Sequence, residues 1–574
     1  MLSALDPAPN VRRTFGRSDT AGVPAKSFAP PRLCIVAVPR LPDEDPMRRL
    51  HKMIAGTLAV AVLAACSGQQ QSASSGPSGQ PQPGGTLTFS DVQFVTDALS
   101  TNYTTANLLF QVVDRLVYLD PKTGEVYGWL AEEFSRNDDA TRYTFTIRDD
   151  VTFSDGTPLT AEVVKANFDQ LGKGDPAKKI PPFSDFVGYD HSEVNGNTIT
   201  VFLDQPNSNF YRVVANGRAG IRGEKTLALD FDGQAKIENV VGSGPFVYQS
   251  HVPDQEVVLT KRPDYAWPPV NSPNQGAAYL DKLVVRVIGE PGLRAGAVQS
   301  GQVDLARGIQ PTDEPALAQG GFQVIPVAAP ILTANIVGFR INNELVSDQR
   351  VRRALQLGID RQAVVDTVLS PSYRAADSVL GHDDPLFTDE SADLGYDPRR
   401  AAALLDEAGW KVGGDGIREK DGKKLNLTLA ASNQSVVFRP AFEFIESGWR
   451  ELGVALQNRA GDTTLFNAAN ADGSTPLLGT RTSYNNGLGM LFGRANGNLT
   501  FATNDELIAL SAEELRATDP AHAKDIAARI QKKVIDDQLA LILWDEVQVH
   551  AAAPNVHVEF TNYTEPLFQS AWKN

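Results

Sequence analysis

Only two cysteines occur in 574 residues, Cys34 and Cys66. No C-x-x-C pair exists, so dithiol redox motifs and multi-cysteine metal sites are excluded, and no disulfide framework can carry the fold. Histidine is almost as scarce: His251, His382, His522, His550 and His557 stand without ligand spacing, and His550 with His557 reads as surface and strand packing. H-E-x-x-H, G-x-S-x-G and G-x-x-x-x-G-K-[ST] are all missing. Without them the mechanics of a metalloprotease, a serine hydrolase and a P-loop nucleotide hydrolase are absent. Neighbouring acids such as Asp138-Asp139 and Asp383-Asp384 read as solvated turns, because acid-base work needs carboxylates converging in a cleft. No catalytic activity, metal or cofactor is expected.

A membrane-spanning stretch is also missing from the leader. The run Met53–Ala65 has 13 residues, short of the roughly 20 that a spanning helix requires. It follows Arg48, Arg49, His51 and Lys52 and stops at Leu63-Ala64-Ala65-Cys66. That order is signal-peptide grammar, and the four residues resemble the lipobox of bacterial lipoproteins. In that family the cysteine sulfur receives a diacylglycerol and becomes the mature N-terminus, so Cys66 is the expected lipidation site. Residues 1–46 are rich in Pro and Arg and do not read as a domain. Met47 directly precedes the charged stretch and is the expected true start.

Positive charge is in deficit. The chain holds 53 basic and 69 acidic residues; without residues 1–65, which carry nine and five, 44 and 64 remain, a net charge of −20. A nucleic-acid partner is excluded, since phosphate binding needs a basic face. The composition reads as a soluble exported protein. Residues 67–85 hold little but Ser, Gly, Gln and Pro and bury too little to offset ordering entropy, so they read as a flexible tether with a reach of roughly 20–25 Å.

The folded part begins at "GGTLTFS", where Leu87 and Phe89 alternate with polar residues as in a half-buried strand. A helix is expected over Thr105–Val117. Alternation at Tyr143, Phe145 and Ile147, resumed at Val151 and Phe153, predicts a hairpin across Arg148-Asp149-Asp150. Asp155-Gly156 is a strong turn pair. Thr160 then caps a helix with Val164, Phe168 and Leu171 on one face. Ser347 and Asp360 are expected caps of two further helices, and Asp397-Pro398 opens a helix that Gly409 closes. Gly242 and Gly244 permit a tight backbone path.

The block "VTFSDGTPLTAEVV" resembles the signature of the extracytoplasmic solute-binding proteins of peptide and nickel ABC importers. Four more blocks agree in order and spacing: "VGSGPFVYQSHVPDQEVVLTKRPDYAW", "YLDKLVVRVIGEPGLRAGAVQSGQVDLA", "VGFRINNELVSDQRVRRALQLGIDRQAVVDTVL" and "GYDPRRAAALLDEAGW". The resemblance implies an α/β fold of the two-lobed periplasmic-binding-protein type (type II, with an extra subdomain), its lobes joined by hinge strands. Lobe one would span 84–330, with a subdomain inserted near 120–238, and take back 545–574; lobe two would span 331–544. "ILTANIVGFRIN" and "LALILWDEVQVHAA" are the expected crossings, since both are apolar and rich in β-branched residues.

The implied function is capture of a small-molecule or peptide ligand by hinge closure, and its delivery to an ABC permease and ATPase complex by a lipid-anchored monomer. A binding lipoprotein acting as a sensor or chaperone without a dedicated permease stands as the alternative. Expected ligand-binding residues are Phe94, Tyr103, Gln310 and Trp544 from lobe one with its hinge, and Asn335, Ser432, Asn433, Tyr484 and Asn485 from lobe two. Peptide-binding members carry a Trp and an Asp near the stretch "GTRTSYNNGLGMLFGR", and that Asp pairs with the peptide ammonium. Here no acid stands between Asp472 and Asp505, so a free peptide N-terminus is disfavoured. An Asp at Asn485 or Asn486 is expected to strengthen binding of unblocked peptides.

Overall fold

The computed structural model describes residues 79–92, 106–431, 436–494 and 499–574. Phe94, Tyr103, Ser432, Asn433, Met47 and Cys66 lie outside the described residues.

A seven-stranded mixed sheet is nucleated by Thr86–Asp91, where Leu87 and Phe89 are fully buried. Thr86–Asp91 runs parallel to Lys282–Val287 on one side and to Leu305–Arg307 on the other. Val547–Ala552 lies between Leu305–Arg307 and Gln323–Ala328, antiparallel to both. A second, five-stranded sheet pairs Asn426–Ala431 parallel with Ala455–Ala460 and Leu477–Thr480. Its other edge is Asn335–Phe339 and Ala540–Trp544, antiparallel to each other. Both of these strands are buried at every residue, as sequences apolar but for Asn335 require.

The chain passes from the first sheet to the second between Ala328 and Asn335, and returns between Trp544 and Val547. Those are the two crossings anticipated from the sequence. All three large sheets belong to one unit, Ser74–Asn574.

A third, antiparallel sheet orders Ala131–Arg136, Arg142–Ile147, Thr198–Leu203 and Tyr189–Asn195. Tyr143, Phe145 and Ile147 are buried on its inner face, against Val164 and Phe168 of the helix Ala161–Lys173. Thr160 caps that helix by accepting from the Val163 N–H.

Three local expectations are corrected. The hairpin sits one turn later: Arg142–Ile147 pairs with Ala131–Arg136 and Thr198–Leu203, whereas Val151 and Phe153 fold back on Leu159 and Thr157 around Asp155-Gly156. The helix expected over Thr105–Val117 is described only at Ala106–Leu109. The carbonyls of Gln111 and Val112 accept instead from Phe246 and Gly244 N–H, so tertiary pairing displaces the helical ladder. Gly242 makes that approach possible, since a Cβ there would lie 1.8 Å from the Val112 oxygen. Finally, Asp348 rather than Ser347 caps Gln349–Leu357, accepting from Arg350 N–H. Asp360 and Asp397 cap as expected, and Gly409 takes the left-handed conformation after the last turn, at φ +91°.

Candidate functional site

In sheets with parallel strands, ligands bind beyond the carboxyl ends of those strands, where the backbone stops pairing and loops diverge. In the first sheet this edge carries Asp91 and Arg307, the last residues of Thr86–Asp91 and Leu305–Arg307. In the second it carries Arg481, directly after Leu477–Thr480. Because Asn335–Phe339 and Ala540–Trp544 run antiparallel to each other, Asn335 and Trp544 meet at one end as register partners.

Charges of both signs are buried here, and each is partnered. Arg307 lies 3.6 Å from Asp91, with both side chains nearly excluded from solvent, and Asn107 Nδ2 donates to Asp91 at 2.8 Å. Arg481 contacts Glu546 in a second buried ion pair. Asn335 Nδ2 and Gln548 Nε2 donate to the same Glu546 carboxylate at 2.9 and 2.8 Å. Burial and the like charge of Arg307 lower the Arg481 pKa, and Tyr373 opposes them. Glu314 receives Ser370 and Ser372 hydroxyls at 2.7–2.8 Å, and burial holds its carboxyl above the usual range.

Some buried polar atoms are left without a partner: Asn335 Oδ1, Trp544 Nε1, Ser90 Oγ and Asp545 Oδ1. Such atoms cost about 1–3 kcal/mol each, and a bound solute is one means of satisfying them.

A separate contact line joins the third sheet's region to the chain around 484. Arg212 Nη1 donates to Tyr484 Oη at 2.6 Å, and Tyr484 donates to Asp384 at 2.5 Å. Asn485 Nδ2 donates to Asp185 at 3.1 Å, and Asn486 Nδ2 to the Ser184 carbonyl at 3.1 Å. Ser208 Oγ and Arg136 Nη2 reach the carbonyls of Glu514 and Thr518. Asp384 is buried, which corrects its reading as a solvated turn; desolvation raises its pKa and Arg212 restrains the rise.

Of the residues expected to touch ligand, Asn335 and Trp544 come together at the crossing. Gln310 is half-buried in the loop after Leu305–Arg307, and its carbonyl accepts from Asp313 N–H. Tyr484 and Asn485 are committed to protein partners instead. Sequence reading passed over Arg307, Arg481, Glu546, Glu314 and Arg212, and placed Asp384 in a solvated turn. Glu546 carried a usable signal, since with Asp545 it interrupts the returning crossing segment directly after the apolar run Leu539–Trp544. His550 packs in the strand Val547–Ala552 as expected, but it is wholly buried and not at the surface, against Phe560 at 4.4 Å, and burial drives its pKa down to about 3. His557 stacks on Trp572.

Comparison with known proteins agrees with this geometry. The model of bacterial extracellular solute-binding proteins, family 5 Middle, matches residues 125–494. The oligopeptide-binding protein AppA of Bacillus subtilis (strain 168) is 26% identical over 420 residues, 69% of this chain and 73% of AppA. The nickel-binding periplasmic protein of Escherichia coli (strain K12) is 25% identical over 369 residues, 62% of this chain and 68% of that protein. The crystal structure of NikA from Brucella suis in complex with Fe(III)-EDTA superposes with a TM-score of 0.73 at 22% identity, covering 85% of this chain and all of that one. The two-lobed α/β architecture is therefore shared.

Proposed function

Because the chain belongs to the bacterial extracellular solute-binding proteins of family 5, whose members capture solutes for ABC importers, we propose that it takes a peptide or peptide-like solute between its two parallel-edged sheets. The carrying observation is the pairing of opposite charges on both walls, Asp91 with Arg307 and Arg481 with Glu546. A zwitterionic solute carries both signs, so each of its ends would meet a counter-charge already in place without a new bare ion being buried. Named relatives support the class: AppA binds oligopeptides, and a glutathione-binding protein of Escherichia coli O1:K1 / APEC is 25% identical over 480 residues.

Capture works by population shift. Among the described residues the chain connects the first and second sheets through the segments 329–334 and 545–546, short enough to act as hinges. A solute that touches both walls binds the closed form better and shifts the equilibrium by that difference alone. Solution scattering with a panel of di- to pentapeptides, some N-acetylated, tests this. A tight binder should lower the radius of gyration; a tight binder that leaves the curve unaltered would remove the hinge mechanism.

Attachment by a lipid on Cys66 completes the reading, supported by the Leu63–Cys66 motif and the polar stretch behind it. Among the described residues no helix is long and apolar enough to cross a membrane. Cys66→Ser is expected to move the protein from the detergent phase to the aqueous phase in Triton X-114 partitioning. Unchanged partitioning would contradict the anchor.

A further inference from the structure

A second cavity, of about 330 Å³, is lined by side chains from 110–129, 245–273 and 559–570. It shares no lining residue with the charge pairs above. We propose that this cavity is a second binding site, for a neutral planar ring compound with an amide-type edge. This inference stands apart from the solute reading of the cleft.

The walls supply ring surface, and the most deeply buried charged groups of the lining are one donor, Arg115, and one acceptor, Glu565. Tyr118, Trp129, Tyr265 and Phe560 contribute ring surface. The Arg115 guanidinium is flanked by Phe110 and Trp129, at 5.0 and 4.7 Å from their centroids. Its one hydrogen bond with the described residues runs from Nε to the Ala215 carbonyl, at 3.2 Å, so its Nη donors are unused. Glu565 is 2% exposed. Its Oε2 accepts from Thr561 Oγ1 at 3.0 Å, while Oε1 is buried without a partner.

An enclosed carboxyl oxygen with no donor, beside a guanidinium with spare donors, calls for a group that accepts on one side and donates on the other. An amide edge does both, its carbonyl toward Arg115 and its N–H toward Glu565. The cavity size is in the range for small-molecule sites, and its lining mixes aromatic rings with amide, hydroxyl and charged side chains. An anionic ligand fits less well. Asp120 and Glu559 outnumber Lys122 in the lining, and a carboxylate would face Glu565 until that group took up a proton. Burial raises Glu565 to about 7 against the opposing pull of Arg115, the Thr561 hydroxyl and Arg307, so a carboxylate probe should gain affinity as pH falls through that value, and an amide should not.

The test uses mature protein labelled with 5-fluorotryptophan, whose Trp129 resonance is assigned by Trp129→Phe. Benzamide, benzoate and cyclohexanecarboxamide are titrated at pH 6 and pH 8. Benzamide is expected to shift the Trp129 resonance saturably at both pH values, and benzoate to bind several-fold more weakly at pH 8 than at pH 6. Arg115→Met should weaken benzamide by about tenfold or more, equivalent to about 1.4 kcal/mol, while leaving binding of a cleft peptide unchanged. Glu565→Leu, which removes a desolvated carboxyl and so should fold, is expected to weaken benzamide similarly. An unmoved Trp129 resonance with every probe, equal benzamide affinity in the folded variants, or a preference for benzoate at both pH values would each overturn the proposal.

Discussion

Arg212→Ala is expected to destabilise the protein by about 3 kcal/mol near neutral pH, because it leaves the buried Asp384 carboxylate without the cation that offsets its desolvation. Arg212 reaches Asp384 through Tyr484, which takes a hydrogen bond from the guanidinium at 2.6 Å and gives one to the carboxylate. Truncation removes the charge and strands the tyrosine oxygen, while the Tyr563 hydroxyl still bonds the residue 212 carbonyl at 3.3 Å. The loss should depend on pH. Burial already lifts Asp384 above the usual carboxyl range, with Arg212 pulling it down; the variant lifts it further.

A carboxyl whose folded pKa exceeds its unfolded value contributes stability that is complete below the unfolded value, about 3.9 for Asp, and is lost as pH rises through the folded one. The deficit of the variant should therefore shrink toward pH 4 and grow toward pH 7. Glu514, pushed up to about 7 by burial and held down in part by Arg212, adds in the same direction. Urea titrations of both proteins from pH 4 to pH 8 measure this. A deficit that is constant with pH would mean that Arg212 contributes packing and no charge compensation. Because the contact joins residues 212 and 484, scattering of the unliganded variant should also show a larger radius of gyration.

What the sequence disclosed and what it hid divide along a physical line. Period-two alternation marked Thr86–Asp91 and Arg142–Ile147, and apolar runs marked Asn335–Phe339 and Ala540–Trp544, because those patterns report burial of the element itself. Side-chain caps at Thr160, Asp360 and Asp397 were legible for the same local reason. Partners distant in sequence were not. Asp384 bonds Tyr484 100 positions away, Tyr484 bonds Arg212 across 272, and Asp185 meets Asn485 across 300. Nothing near Asp384 in the chain separates a buried acid from a turn acid. The hairpin at Val151 failed in a related way. Alternation identified the extended segments correctly, but which segment pairs with which is decided by the sheet as a whole.

Asn485→Asp is where the sequence and the structure predict opposite outcomes. From the sequence alone, an acid here restores the group that relatives use for a peptide ammonium, and binding of unblocked peptides should improve. In the folded chain Asn485 is 2% exposed and its amide donates to the Asp185 carboxylate. The variant therefore sets two carboxylates about 3 Å apart in a buried contact, where both cannot ionise. At their ordinary values only one can: the second ionisation of the pair is raised by roughly 2–3 units, so holding both charges near neutral pH costs about 3–4 kcal/mol. The sign follows: the variant should match wild type below the ordinary carboxyl range and fall behind as pH rises through the raised value. Asn486→Asp is the control, because Asn486 is more open and faces a backbone carbonyl at 3.1 Å; about 1 kcal/mol or less is expected there. Thermal melts of the three proteins at pH 4.5 and pH 7.5, with calorimetric titration of free and N-acetylated peptides, separate the alternatives. A pH-dependent loss confined to Asn485→Asp supports the structural reading. Undiminished stability with about tenfold tighter binding of free peptides would place residue 485 on the ligand and return Asp185 to a secondary role.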